Sequence, residues 1–184
     1  MLDQLFFAFW FFIPVGVAIL AAFYSGKSKS FKKYSYPVDG YKHFRGKRIL
    51  GDHKTVRGFI IGTLAAIIIV YLQVFLYQNS PWLRSVLKLD YAEINPLLLG
   101  FLTGFGGLAG DAIKSFFKRQ ISISPGKSWF PFDQIDHILG GILFTWFYIQ
   151  LSLLDYVLII IIWFLIHPLS TFVAYILKLK KTPL

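Results

Sequence analysis

Cysteine is absent from the 184 residues. Disulfides, thiolate metal sites and cysteine nucleophiles are therefore excluded, and the redox compartment leaves no trace in the chain. Charge is scarce: only 15% of the residues are Asp, Glu, Lys or Arg, against about 25% in a soluble domain. Acid is scarcer still, with 9 Asp and Glu against 19 Lys and Arg, a formal net charge of +10. Internal repeats and low-complexity tracts are missing as well. What abounds is apolar: 56% of the chain is hydrophobic and 19% aromatic, above the about 45–50% apolar content of globular domains. The combination excludes disorder and argues against an ordinary soluble globule. A basic excess in so apolar a chain points first to a membrane protein with basic loops, ahead of a nucleic-acid binder.

Five hydrophobic runs stand out, at about 5–24 (containing Pro14), 59–77, 94–113, 135–154 and 156–177 (containing His167 and Pro168). Each is near the roughly 20 residues that cross a bilayer as a helix. Barrel strands would be shorter and alternating, whereas these runs are apolar on every face. The first lacks a basic n-region and a small-residue cleavage site, so it reads as a span and not as a removed signal peptide. The expected fold is an all-α integral membrane protein: one membrane domain over 1–184, five transmembrane helices and a basic cytoplasmic loop at 25–57.

The connections sort by charge. Segment 25–57 carries ten Lys and Arg with two Asp, segment 114–131 carries four bases and no acid, and the tail carries Lys178, Lys180 and Lys181. Segment 78–93 balances Arg84 and Lys88 against Asp90 and Glu93, and the turn at Asp155 has no base. Alternate connections share a side, so 17 of the 19 bases fall on one face of the membrane. The positive-inside rule then places the protein in the cell membrane as a multi-pass chain, N-terminus outside, C-terminus cytoplasmic. Segment 25–57 is punctuated by Pro37, Gly40, Gly46 and Gly51 and is expected to be irregular.

Chemistry concentrates at the cytoplasmic ends. Asp111, Lys114, Ser115 and Lys118 follow i, i+3, i+4, i+7 spacing and share one helical face. Snorkelling explains Lys118 and Arg119. It does not explain Asp111, because an acid one to two turns inside hydrocarbon is costly unless paired or functional. Asp133 and Asp136 open the fourth run as a DxxD pair on one face. Two adjacent carboxylates repel unless a cation lies between them, and oxygen ligands with nearby phosphate suit Mg²⁺. The bland reading of the pair is acids meeting a helix N-terminus. Gly51 to Gly58, with Lys54, Thr55 and Arg57, has the composition of a phosphate loop. It fails the Walker pattern because Lys54 comes three residues after Gly51 instead of directly after it, and Gly126-Lys127-Ser128 lacks the first glycine. Its bland reading is a basic anchor for anionic lipid. His167-Pro168 reads as a kink, the stripe Gly100, Gly104, Gly107 and Gly110 as close helix packing, and the Trp and Tyr near span ends as an interfacial belt.

Together these motifs resemble a known family. Gly110-Asp111, Ser115, Lys118-Arg119 and Asp133-x-x-Asp136 look like the GDxxxSxxKR and DxxD elements of CTP-dependent CDP-diacylglycerol synthases. Lys54-Thr55-Val56-Arg57-Gly58 is similar to that family's KTWEG element, with Arg in place of an acid. The small size, the KTxRG form and the run Pro37-Val38-Asp39-Gly40 resemble the archaeal branch, the CDP-archaeol synthases. The HGG that precedes the acid pair in the bacterial enzymes is missing, and Pro125-Gly126-Lys127 stands in its place. The resemblance covers about 37–141.

The resemblance implies a Mg²⁺-dependent cytidylyltransferase of archaeal ether-lipid synthesis. Its partners would be CTP, an isoprenoid ether lipid phosphate (2,3-bis-O-geranylgeranylglycerol 1-phosphate) and membrane lipids, with no nucleic acid. Its products would be unsaturated CDP-archaeol and pyrophosphate. Asp111, Lys118, Arg119, Asp133 and Asp136 would be catalytic, with the three aspartates as metal ligands. Lys54, Thr55, Arg57, Lys114, Ser115 and Lys127 would bind substrate. A CDP-diacylglycerol synthase acting on phosphatidate and a small transporter with an acidic relay are the alternatives. A CDP-alcohol phosphotransferase is disfavoured because its longer acidic motif is absent.

Overall fold

A computed structural model describes residues 1–27, 35–125 and 127–176, with backbone only for Lys27, His167, Pro168 and 170–176. Gly126, the tail lysines and the side chains of the expected His167-Pro168 kink lie outside the described residues. The described chain is mostly helical. Its elements are α1 (Leu2–Lys27), β1 (His43–Phe44), β2 (Lys47–Arg48), α2 (Val56–Asn79), α3 (Pro81–Val86), α4 (Pro96–Gln120), α5 (Phe132–Trp146) and α6 (Leu153–Ile176).

The helix starts follow from local chemistry. A helix leaves its first backbone N–H groups without partners, and a short polar side chain satisfies one of them. Thr55 Oγ1 accepts from Gly58 N–H at 3.1 Å to begin α2. Ser80 Oγ accepts from Leu83 N–H at 3.3 Å to begin α3. Asn95 Oδ1 accepts from Leu98 N–H at 3.1 Å to begin α4. Pro81 and Pro96 occupy the first helical positions, where a missing N–H costs nothing.

Among the described residues, three helices are long and apolar enough to cross a membrane: Leu2–Gly26, Val56–Asn79 and Pro96–Gln120. The apolar stretch Leu153–Ile166 of α6 is shorter within the described side chains. The run expected at 135–154 is not one helix. It divides into α5, 15 residues long, a six-residue connection and the first turn of α6. At 1.5 Å per residue α5 rises about 22 Å, short of a roughly 30 Å hydrocarbon core. The break is invisible in hydropathy because the connection is itself apolar. Thr145 carbonyl accepts from both Tyr148 and Ile149 N–H, at 2.9 and 2.8 Å, and turns the chain. In the other direction, α4 runs past the expected end at 113 to Gln120, carrying the polar stripe on helix.

Lipid-like surroundings show in which residues face inward. On α2, Gly58, Gly62, Thr63, Ala66, Val70 and Gln73 are buried, while Ile60, Leu64, Ile68, Leu72 and Phe75 are exposed. Small and polar groups inside with large apolar groups outside is the pattern of helices packed in hydrocarbon. Gln73 Nε2 donates to Trp10 carbonyl at 2.6 Å. The aromatic belt is only partial: Trp82 and Trp146 are exposed, but Trp163 is buried, seated over Gly16.

Helix α4 is central and packs most extensively on α5 and α2. The α4–α5 crossing is backbone against backbone. A Cβ on Gly110 would lie 2.2 Å from Asp136 carbonyl oxygen, and one on Gly140 would lie 2.3 Å from Gly106 carbonyl oxygen. Gly100 and Gly104 bring α4 equally close to Ile67 and Ala66 of α2. The glycine stripe is thus contact surface toward α2 and α5, and at Gly107 toward Val15 of α1. Toward α5 it sets Asp111 beside Asp136.

The segment before α2 is not irregular throughout. β1 and β2 pair antiparallel, His43 opposite Arg48 and Phe44 opposite Lys47. Val38 N–H donates to Lys54 carbonyl at 2.7 Å and Val56 N–H to Tyr36 carbonyl at 2.9 Å, closing the base of the loop. At the other end of the helices, Lys88 Nζ lies 2.6 Å from Asp155 Oδ1, so the segment after α2 and the first turn of α6 meet.

Candidate functional site

Three elements converge at the end of the bundle where α2 begins and α4 ends. The loop delivers Lys54, α4 delivers Asp111, Lys114, Ser115, Lys118 and Arg119, and the start of α5 delivers Asp133 and Asp136. Lys114 is the hub. Its Nζ lies 3.1 Å from Asp111 Oδ1, 2.8 Å from Asp133 Oδ1 and 2.6 Å from Asp136 Oδ2. Lys54 Nζ pairs with the second oxygen of Asp111. Lys118 Nζ forks onto both oxygens of Asp133, at 3.1 and 3.2 Å, and donates to Lys127 carbonyl at 2.5 Å. Asp133 also accepts from Trp129 N–H at 2.5 Å. Asp136 Oδ1 accepts from His137 N–H at 2.6 Å and lies 2.9 Å from His137 Nδ1. Three ammonium groups thus compensate three carboxylates, the condition under which partly buried charge is tolerated.

The other expected residues fall around this cluster. Ser115 is buried and its hydroxyl donates to Asp111 carbonyl at 2.9 Å. Thr55 spends its hydroxyl oxygen on the α2 cap. Arg57 is buried in the first turn of α2. Lys127 is exposed and meets the cluster through its backbone carbonyl. Arg119 Nε is buried with no hydrogen bond among the described residues.

Two cavities meet here. One, of about 210 Å³, is basic: Lys54, Lys114, Lys118 and Arg119 line it with Ser115 and Gly51. The other, of about 620 Å³, has apolar walls from Ile19, Ala22, Phe23, Phe59 and Leu108, and reaches Arg57, Lys54 and Asp111. Asp52, His53 and Lys54 line both. A polyanion suits the first, and a molecule that is apolar with a charged end suits the second.

The donor set fits a hard divalent cation in chemistry. Three carboxylates surround one point, and buried Asp136 Oδ2 takes no well-formed hydrogen bond among the described residues. Mg²⁺ uses one or two such carboxylates at about 2.0–2.1 Å. The oxygens around Lys114 stand at 2.6 to 3.1 Å from its nitrogen instead, the spacing of an ammonium ion. No group of three carboxylate or imidazole ligands among the described residues already stands at metal-chelating spacing.

One determinant stands in the sequence only as part of the run Pro37-Val38-Asp39-Gly40, with no role of its own. Asp39, its side chain fully buried, accepts from Arg48 Nη2 at 2.9 Å and Nε at 3.3 Å. It also accepts from the N–H groups of Leu50, Gly51 and Tyr41, at 2.9, 3.0 and 3.1 Å. Burial alone would raise the pKa of Asp39; the Arg48 guanidinium and the three N–H donors outweigh it and hold the carboxyl at about 2. Lys47 Nζ then donates to Gln120 carbonyl at 2.5 Å and Ser122 Oγ at 2.8 Å, tying the hairpin to the end of α4. The loop that presents Lys54 to Asp111 is built on these two residues. The available signals were the Asp39-Gly40 turn dipeptide and Gly46 and Gly51, which adopt φ of +76° and +91°. Such backbone favours glycine.

A family model described as CarS-like CDP-archaeol synthase matches residues 1–184. The chain is 34% identical over 156 residues to a CDP-archaeol synthase of Methanospirillum hungatei, covering 80% of this chain and 89% of that protein. It is 33% identical over 177 residues to the Methanopyrus kandleri CDP-archaeol synthase, covering 95% and 90%. It is 30% identical over 183 residues to that of Thermococcus gammatolerans, covering 99% and 98%. A solved structure described as an intramembrane enzyme for archaeal membrane lipid biosynthesis superposes with TM-score 0.69 at 23% identity, over 89% of this chain and 91% of that one. The last likeness shows a shared fold.

Proposed function

The chain belongs to the CDP-archaeol synthase family, and from that premise we infer a cytidylyltransferase joining CTP to an isoprenoid ether lipid phosphate at the basic end of the bundle. The observation that carries the reading is the junction of the two cavities. A basic cleft able to hold a triphosphate opens beside an apolar-walled cavity at Lys54 and Asp111.

In the reaction, an oxygen of the lipid phosphate attacks the α-phosphorus of CTP. A new P–O–P bond forms, the α–β anhydride bond breaks, and pyrophosphate leaves. A phosphate monoester with a second pKa near 6 is already mostly ionised at neutral pH, so no strong base is required. The obstacle is bringing two anions together, and catalysis of this kind is mostly positioning and electrostatics. Lys118 and Arg119 are placed to grip the triphosphate. Arg57, at the start of α2 and facing the apolar-walled cavity, is placed to receive the lipid phosphate, aided by the positive end of the helix. Lys54 stands between them. Asp111, Asp133 and Asp136 are the residues to hold Mg²⁺, which when bound would neutralise charge developing on the phosphates. The five-span topology, with N-terminus outside and the cleft cytoplasmic, belongs to the same reading. α5, lengthened by the apolar connection 147–152, supplies the fourth crossing and α6 the fifth.

The test is CTP-dependent product formation by detergent-solubilised protein, with the geranylgeranyl ether phosphate and phosphatidate compared as acceptors. Pyrophosphate release with the ether phosphate is expected. Asp136→Asn should lower turnover by about two orders of magnitude or more, in line with removing a group that organises charge at the reacting centre, while the melting temperature stays near wild type. Full activity of that variant would remove Asp136 from the site.

A further inference from the structure

We propose that Lys114 is a built-in stand-in cation: without metal its ammonium holds the three carboxylates together, and it moves onto the nucleotide's phosphates when a divalent ion takes its place. The proposal rests on the metal reading above and concerns what Lys114 does to it.

Lys114 is the one described residue whose charged group contacts Asp111, Asp133 and Asp136 together. Lys54 is committed to Asp111, and Lys118 to Asp133 and a carbonyl. Three carboxylates on two helices crossing at Gly110 and Gly140 repel one another. The central ammonium is what permits the backbones to approach so closely without metal. A divalent ion entering with Lys114 in place would meet a positive charge at the centre of its own ligands. The nitrogen must therefore leave, and it has a destination. Lys114 lines the basic cleft beside Lys118 and Arg119, and its flexible four-carbon stem keeps its point charge mobile. Two consequences follow. Metal binds weakly until phosphate is present to receive the ammonium, and metal and nucleotide bind with positive coupling, each raising the other's affinity equally.

The experiment is Mn²⁺ binding to nucleotide-free, detergent-solubilised protein, followed by the electron paramagnetic resonance signal of free Mn²⁺. Wild type is compared with Lys114→Met, Lys114→Gln and Asp136→Asn, each checked for folding by its melting temperature. Removing the competing charge is expected to tighten Mn²⁺ binding by about tenfold or more, on the order of 1.4 kcal/mol. In wild-type protein, Mn²⁺ alone is expected to increase acetylation of Lys114 by acetic anhydride, read by mass spectrometry. This second measurement decides the matter even if neither lysine variant folds. Mn²⁺ binding that Asp136→Asn abolishes, but that leaves Lys114 reactivity unchanged, overturns the stand-in role and leaves the metal centre standing. Mn²⁺ binding that is absent from wild type and from both lysine variants alike, or indifferent to Asp136→Asn, overturns the metal centre and the proposal with it.

Discussion

Asp39 and Lys114 use charge in opposite ways. Asp39 is satisfied by one guanidinium and three backbone donors and has no reason to move, whereas Lys114 is shared among three acids and has a cleft to move into. The fixed group makes a pH prediction. The folded pKa of Asp39 is lowered from 3.8 to about 2, so its stabilisation of the loop is full above the unfolded pKa and is lost as pH falls through the folded one. Hydrogen exchange of residues 36–55, corrected for the intrinsic rate, should show protection constant from pH 7 to about pH 4 and falling between there and pH 2. Asp39→Asn should show weak protection with no such step. A wild-type loop still fully protected at pH 2 would remove Asp39 as its organiser. Of these residues, Asp111, Asp133 and Asp136 were legible because an acid in an apolar chain is conspicuous. Asp39 was not, because its partners lie on a hairpin that only the folded loop brings to it. Nor was the central place of Lys114 legible. Spacing put it on the face of Asp111, but α5 supplies the other two acids.

At the scale of elements, the site is set by how closely α4 and α5 cross. The glycine stripe was readable as a packing surface. Its division into one face against α2 and another against α5 was not, because a sequence does not say which neighbour each glycine meets. The distinction makes a prediction. Gly100→Ala would put a Cβ 2.4 Å from Ile67 Cα, and Gly110→Ala would put one 2.2 Å from Asp136 carbonyl oxygen. Both should destabilise by about 1–3 kcal/mol, the usual cost of overpacking. Only the second pushes Asp136 away from Asp111. Compared at equal fraction folded, Gly110→Ala should lose at least about tenfold more turnover, since small misplacement of reacting groups costs rate steeply. Equal activities would mean that the α4–α5 distance does not set the site. The same scale exposes the limit of hydropathy. Helices α1 and α2 fall within three residues of their expected ends, but the run over 135–154 hides a helix stop. Apolar residues continue through the connection, where backbone hydrogen bonding, not polarity, ends the helix.

For the whole molecule, the charge-sorted reading and the fold make a joint statement about sidedness. Lys54, Asp111, Lys118, Asp133 and Asp136 gather at one end of the bundle, and Lys88 meets Asp155 at the other. Segments that the alternation of charge assigns to one side of the membrane thus meet in space. On the proposed reading the basic end would face the cytoplasm, where the nucleotide is made, as the positive-inside rule expects. The absence of native cysteine makes the orientation directly measurable with single cysteines. Ser115 would be a poor probe because it is buried against Asp111. His53 and Ser128 at the basic end and Ser85 at the other are exposed. In intact cells a membrane-impermeant maleimide should label Ser85→Cys and spare the other two variants. In inside-out vesicles the pattern should reverse, and Mg²⁺ with CTP should slow labelling of His53→Cys, whose position borders both cavities. Labelling of His53→Cys or Ser128→Cys from outside the cell would invert the topology. It would also sever the link between the basic cleft and cytoplasmic CTP, since a triphosphate does not cross the hydrocarbon core unaided.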